Sequence, residues 1–556
     1  MHNLFLGVLR HHCMEVWGIA GVGETDGTGN AKPHTPSEQQ VQIERVLLGL
    51  KQDSPAALDR MRRDYLLAYA ELNDLVERRS KATKKVLIDT LLKWPMKDHD
   101  AEIRKPLPLQ ETTARFHLPE EQLDEDDVFR FHLFSSDVLK AVRHDISATT
   151  VPTWIEKPPA NFGEASHGKL KADQWRTLCT IYMPLTLIRL WGHAGASDAE
   201  RTVLENFIQL ATAADLATRR SMFPERAEIF DKNMEAYVQG LRSIYKHTLV
   251  PNHHIALHLK PFLLAFGPVH GWWAFPFERF NGLLQRLNTN YKSAEMPMTY
   301  MRYFFFGVNL RWIVGTFNWP DADVFKDWLA AFKAAFKDVT RGIRFTEVFA
   351  STSTSDKYTY NERRHTTLNP SVYDQLLHLV CPPGHRPQFV STTAPNPKKL
   401  PRLPEEGHFL TSVSRGTVKF TTHKSGGRDC YISFTDGTGT TALSGRIEQI
   451  FYHRRTVKRA TQIVEPFLVV SEYAQLSTED ATRDPYRSFP YLQSQLYYAD
   501  FKPGTRLVPL RDVVSHATVL PVSLESIDRA CVAVKVLDRV RAGLEFRRGY
   551  STLPQS

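Results

Sequence analysis

Leu249–Leu284, LVPNHHIALHLKPFLLAFGPVHGWWAFPFERFNGLL, is the stretch on which the reading of this chain turns. Gly267-Pro268 breaks the apolar helical run before it, and Pro276 stands where the first turn of a helix accepts a proline. Glu278 then falls in the first turn of the next helix, among Trp272, Trp273, Phe275, Phe277 and Phe280. A carboxylate in such aromatic company needs a partner, because an unpaired buried charge is expensive. Arg279, a metal ion or the helix N-terminus could supply it. Two readings stay open on these residues alone: a structural glutamate at a helix start, and a metal-ligating acid.

Outward from this stretch the pattern is mostly helical. Residues 3–17 carry Leu6, Leu9, Val16, Phe5 and Trp17 at helix-like spacing, and a Gly-, Thr- and Pro-rich loop covers 18–40. From about 41 to 248 helical spacing predominates, and this reads as one α-helical block. Tyr303–Trp319 contains Arg311 and reads as a buried helix rather than a membrane span. Asp321–Val339 lines up Val324, Phe325, Trp328, Leu329, Phe332 and Phe336 on one stripe. Ser/Thr- and Pro-rich sequence from 346 to 405 reads as a linker. Beyond it come short alternating runs, Thr417–Thr421, Cys430–Phe434, Arg446–Tyr452, Pro466–Val470, Arg506–Pro509 and Cys531–Val536. They predict a small all-β barrel or sandwich over 406–540, with a tail at 541–556.

Composition narrows the function classes. The 556 residues allow two to four domains, and 42% hydrophobic with 24% charged residues is ordinary for a globular protein. Lys plus Arg exceed Asp plus Glu by 70 to 61, a net +9 that mildly favours contact with nucleic acid. Five scattered cysteines without a CxxC pair argue against a disulfide framework and a zinc ribbon, and fit a reducing compartment. Met1–Gly7 is interrupted too soon by Arg10, His11 and His12 to be a secretory leader. The chain opens inside an apparent structural element, as though sequence preceded it. The basic run Arg78–Lys85 and the acidic run Glu120–Asp127 read first as solvated faces, the former also as a nuclear localisation signal.

Two further segments accompany Leu249–Leu284: Met1-His2-Asn3-Leu4-Phe5-Leu6-Gly7, and Phe162–Trp175 with Lys169-Leu170-Lys171-Ala172-Asp173-Gln174-Trp175. In this order and spacing the three resemble the transposases of CACTA-type (En/Spm-like) DNA elements, especially the fungal branch often called Plavaka-type. That family closes its catalytic domain with G-P-v…W-x-x-P-x-E-R, matched by Gly267-Pro268-Val269 and by Trp273 to Arg279. An earlier motif, D-x-M-H-x-L-x-L-G, is matched from Met1 to Gly7. The resemblance covers roughly residues 1–345. It implies an α/β RNase H-like core of the DDE type, with 1–20 and 246–345 as its parts, 21–245 as a large α-helical insertion, and the β-rich module following.

The implied chemistry is in-line displacement at phosphorus by two divalent ions ~3.5–4 Å apart, held by three carboxylates. Mg²⁺ or Mn²⁺ suits such hard oxygen ligands. Glu278 matches the third, helix-borne acid and metal ligand, and His2 the histidine three residues after the second acid. On this expectation the other two acids lie upstream of Met1 and this chain alone is catalytically incomplete. Asp173 reads either as an acid complementing a helix N-terminus or as a contributor to the site. Lys169, Lys171, Arg176, Arg279, Arg286 and Lys292 lie in or beside the matched segments and suit phosphate contacts to transposon-end DNA. The resemblance further implies nuclear localisation and allows self-association; no membrane or small-molecule partner is read.

Rival readings remain. A non-catalytic DNA- or chromatin-binding protein derived from such a transposase would keep the β module for interactions. His253, His254 and His258 form HHxxxH, in which His254 and His258 at i, i+4 suit zinc, yet no glutamate completes the HExxH pattern. His11-His12-Cys13 is a weaker metal signal of the same kind.

Overall fold

The computed structural model describes residues 2–19, 33–76, 82–95, 103–110, 112–113, 116–122, 134–163, 170–285, 292–317, 319–335, 365–396, 399–416, 418–436, 442–457 and 461–537. About half is helix and a fifth strand, and the strands form a mostly antiparallel sheet in the C-terminal part. The first helix, α1 (Asn3–Leu9 and His12–Val16), is wound wider than an α-helix. The Arg10 N–H reaches the Phe5 carbonyl, and the Trp17 N–H the His12 carbonyl. Leu4, Phe5, Val8, Leu9, Cys13, Val16 and Trp17 are buried, and Leu6 and Met14 are partly buried against the same core.

The helical block expected over 41–248 has two cores, not one. Helices α2 (Pro36–Lys51), α3 (Arg63–Leu72) and α4 (Lys84–Leu92) enclose a small core with Ile103, Leu109, Phe116 and Leu118. Thr35 starts α2 with a reciprocal cap: Glu38 N–H donates to its hydroxyl at 3.3 Å, and its own N–H to the Glu38 carboxylate at 2.9 Å. The larger core joins α1 to α5 (Ser136–Ala148), α6 (Ala172–Thr177 running on to Met183–Trp191), α7 (Asp198–Ala217) and α8 (Pro224–Ser243). Helices α9 (Pro251–Leu257) and α10 (Leu259–Phe266) complete it through Ala256 and Leu263. Trp17 sits near its centre. Its ring lies 4.8 Å from Phe207 and 5.2 Å from Phe134, and its indole N–H donates to Tyr245 Oη at 3.1 Å. Then come α11 (Phe275–Leu284), α12 (Met296–Thr316) and α13 (Asp323–Ala335).

The stretch 346–405, expected as a linker, is folded from residue 365 onward. It contributes β1 (His365–Thr367) and α14 (Pro370–Val380), which Asn369 caps by accepting the Ser371 N–H at 3.0 Å. Next come β2 (Glu406–Leu410), then β3 (Ser412–Arg415) and β4 (Val418–Thr421), which pair with each other as a separate two-stranded sheet, and β5 (Tyr431–Thr435), β6 (Ala442–Val457) and β7 (Thr461–Glu472), which with β1 and β2 belong to the main sheet. It ends with β8 (Ser494–Tyr498), β9 (Arg506–Pro509), β10 (Val513–Leu524) and β11 (Ile527–Val536). The long β6–β7 hairpin carries one bulge between Ile447 and Gln449. That extra residue explains why Ile447 and Ile450, three apart, share one interior with Leu468 and Val470. On the other face Phe451, Phe467 and Val469 meet Val372, Tyr373 and Leu376 of α14.

The expected β module is not independent of the helices. Strands β8, β10 and β11 are buried on both faces. Leu496, Leu520, Val522 and Ala533 join the core of α6 and α7, while Tyr497, Val519, Val532 and Val534 face the other way. Thr150 and Val519 exchange backbone hydrogen bonds at 2.9 and 3.0 Å, and Tyr486 Oη donates to the Leu185 carbonyl at 2.7 Å.

One charged contact at this joint is deeply placed. Lys535, 1% exposed, donates to the Leu492 carbonyl at 2.6 Å and lies 3.9 Å from Asp215, which Arg219 also holds at 2.8 Å. Burial works to raise the Asp215 pKa, but Lys535 and Arg219 outweigh it and leave the carboxyl below its ordinary value. Asp215→Ala therefore strands a buried ammonium, and urea denaturation at neutral pH should show a loss of about 3 kcal/mol. A loss below about 1 kcal/mol, the scale of a surface pair, would contradict this joint.

Candidate functional site

The starts of α1 and α11 meet. His2 Nε2 lies 2.8 Å from Glu278 Oε1, so the two residues singled out by separate motifs form one pair. Three features set this approach. Asn3 Nδ2 donates to the Asn252 carbonyl at 3.0 Å, and Asn252 Nδ2 donates to Asn3 Oδ1 at 2.6 Å. Gly7 crosses the Asn252 side chain so closely that a Cβ would overlap its amide. The Phe275 ring stands 6.2 Å from Phe5 and 6.5 Å from His2. The ion pair is not what binds the segments, because a half-exposed pair contributes at most about 1 kcal/mol. The buried side of α1 and the asparagine pair hold them, and His2 and Glu278 are carried along.

Local sequence explains the geometry of α11. Gly267 takes φ +68° and ψ −149°, a conformation open essentially to glycine alone, and ends α10. Trp272 Nε1 donates back to the Gly267 carbonyl at 3.1 Å, tying the turn, and the Trp273 ring meets those of His270 (4.4 Å) and Phe275 (4.9 Å), each at a tilt. Glu278 lies in the first turn as expected. It is not embedded in aromatics, however: its side chain is 44% exposed, with Phe277 and Phe280 on the open side. Its observed partner is His2, which the local pattern did not offer.

The other expected residues divide. α6 opens with the Lys171 N–H on the Gln174 side-chain oxygen at 2.9 Å, and its first turn packs against α1. Asp173 pairs with Arg176 on its own helix at 2.8 Å, which favours the helix-start reading. Arg176 also acts electrostatically on His270 of the Gly267–Phe275 turn. Lys292 pairs with Glu295 at 3.7 Å at the head of α12. Lys169, Arg286 and the side chain of Arg279 lie outside the described residues, as does the first half of the basic run Arg78–Lys85.

Among the described residues no three His, Cys, Asp or Glu side chains are grouped to hold a metal ion. His254 and His258 do share a helix face, with Nε2 atoms 3.1 Å apart, but both are exposed. Spacing did not reveal a second histidine group, assembled from α1, the end of α8 and α9. His11 Nε2 lies 2.9 Å from His247 Nε2, and the His253 ring is 5.2 Å from His11. Beside them His12 is fully buried, with Nδ1 3.2 Å from Tyr237 Oη. Burial, then His11, His253 and His247, push the His12 pKa well below its ordinary value. Burial, then His11 and His247, bring His253 down to about 4, and burial, then Arg220 and Arg176, do the same for His270.

No protein-family model, curated protein or solved structure matches this chain.

Two outcomes follow from this geometry. Gly7→Ala should cost about 2 kcal/mol through overlap with Asn252, and adding Asn252→Ala should recover part of that loss; a purely additive double variant in a denaturation cycle would contradict the contact. His12, His253 and His270 stay neutral when folded but protonate near 6.5 once unfolded, so the unfolded chain binds more protons below that pH. Stability is thus complete above pH 6.5 and declines as pH falls toward 4. Each such histidine removes about 2 kcal/mol by pH 5. Urea midpoints that stay level from pH 7 to 5 would refute the neutral cluster.

Proposed function

We propose that this chain is a transposase-derived protein of the CACTA type, Plavaka-like, that binds DNA in the nucleus, with residues 1–20 and 246–345 belonging to an RNase H-like core. The observation that carries the reading is the His2–Glu278 pair at 2.8 Å. Two motifs that the resemblance sets at one catalytic centre, far apart in sequence, come into contact, and the first turn of α6, from the third motif, packs against α1 beside them. A coincidental resemblance gives no reason for these three segments to gather.

The residues present do not fit the two-ion centre of the intact family. One carboxylate and one imidazole supply too few hard oxygen ligands for two divalent ions, and Mg²⁺ in particular prefers six. Within the proposal Glu278 is one ligand of such a centre, for Mg²⁺ or Mn²⁺, and His2 orients its carboxylate. Lys171, Arg176 and Arg279 contact phosphates, with Lys169, Arg286 and Lys292 as further candidates. No cleavage step is assigned to this donor set. A second reading, in which the chain binds DNA or chromatin without cutting it, stands beside the first.

Fluorescence anisotropy with a labelled DNA duplex tests the proposal. Affinity should fall linearly with salt on a log–log plot, with a slope of about −0.9 per phosphate contacted. Lys171→Ala and Arg176→Ala should each flatten that slope by about one contact, Glu278→Ala should leave affinity unchanged, and Mg²⁺ or Mn²⁺ should produce no strand cleavage. Absence of binding at low salt would sink the DNA reading, and cleavage abolished by Glu278→Ala would overturn the non-catalytic assignment.

A further inference from the structure

A helix that is apolar around its whole circumference ordinarily lies inside a core. α12, MPMTYMRYFFFGVNLRWIVGT, is close to such a helix, interrupted by Arg302, Asn309 and Arg311, yet only one side is covered, where Phe304 stands 6.3 Å from Phe280 of α11. The opposite side displays Met298, Met301, Phe305, Phe306, Trp312 and Ile313, each between 46% and 71% exposed. This reverses the expectation of a buried helix over Tyr303–Trp319. No helix among the described residues is long and apolar enough to cross a membrane, so a lipid core is not its destination.

We propose that this face of α12 pairs with the same face of a second copy of the chain, antiparallel, about a two-fold axis near Phe305. Its layout is self-complementary. Met298 and Trp312 stand seven residues before and after Phe305, two turns each way on one side of the helix, so each meets the other across the axis. The polar residues within the face are Arg302, three before, and Asn309, four after. The same operation sets the Arg302 guanidinium against the Asn309 side-chain carbonyl of the other copy, where it donates a hydrogen bond. Among the described residues neither side chain has such a partner within its own chain. Area agrees. Six large side chains, half exposed at ~200 Å² each, present on the order of 600 Å² per copy, and Phe317 extends the patch toward the ~800 Å² per partner of a standard interface. Aromatics, Met and one Arg with few other charges are the composition of a protein interface core rather than of a phosphate-binding surface. The pairing does not depend on the DNA reading.

Sedimentation velocity of the full chain over a wide concentration range tests it. The unaltered chain should reach twice its monomer mass. Phe305→Glu should weaken association on the order of 100-fold, since a carboxylate would be buried against its copy. Asn309→Lys, which opposes Arg302, should weaken it about tenfold, and Arg302→Glu combined with Asn309→Lys should restore it. That restoration separates an interface effect from misfolding. A chain that stays monomeric throughout, or a dimer indifferent to both Phe305→Glu and Asn309→Lys, overturns the proposal.

Discussion

The seating of α1 across α6, α8 and α9 is the constraint on which the rest of the structure depends. Its apolar side supplies the centre of the largest core, with Trp17 wedged against Phe207 and Phe134 and Cys13 3.7 Å from Cys179. Burial of side chains of this size contributes about 1.5–3 kcal/mol apiece, far more than any polar contact at the edge. Once that side is buried, the start of the helix has little freedom left. The Asn3–Asn252 pair then sets its position, and His2 arrives at Glu278 as a consequence.

The same core is closed from the far side by the sheet. β8, β10 and β11 bury one face on α6 and α7, and the Lys535–Asp215–Arg219 group lies at that joint. Helices and strands therefore share one hydrophobic interior, and a change in the C-terminal strands bears on the helices that support α1. Through α1 the region around His2 and Glu278 adjoins this shared interior. α11 and α12 project from it with much of their apolar surface open.

Much of the local structure was legible because single residues dictate it. Gly267 and Pro268 end a helix through conformational limits, Pro276 permits a new start, and Arg506–Pro509 forms a strand with the predicted ends. Long-range partners were not. Local pattern offered Arg279, a metal or a helix end to Glu278, whereas the partner comes from the opposite end of this part of the chain. β10 escaped notice because it is buried on both faces and so lacks the alternation that marks a half-buried strand. α14 was hidden by the Ser/Thr- and Pro-rich sequence on either side, although its own buried Val372, Tyr373 and Leu376 follow helical spacing. The histidine group was invisible because its members come from separate helices.

The most direct test of the central claim is disulfide trapping between α1 and α9 in the full chain carrying Asn3→Cys and Asn252→Cys, read by peptide mass spectrometry after mild oxidation. The account predicts an intramolecular crosslink between positions 3 and 252 in most folded molecules, lost on unfolding before oxidation. A folded chain in which that pair stays reduced, or links only between molecules, would contradict the docking of α1 and with it the meeting of His2 and Glu278.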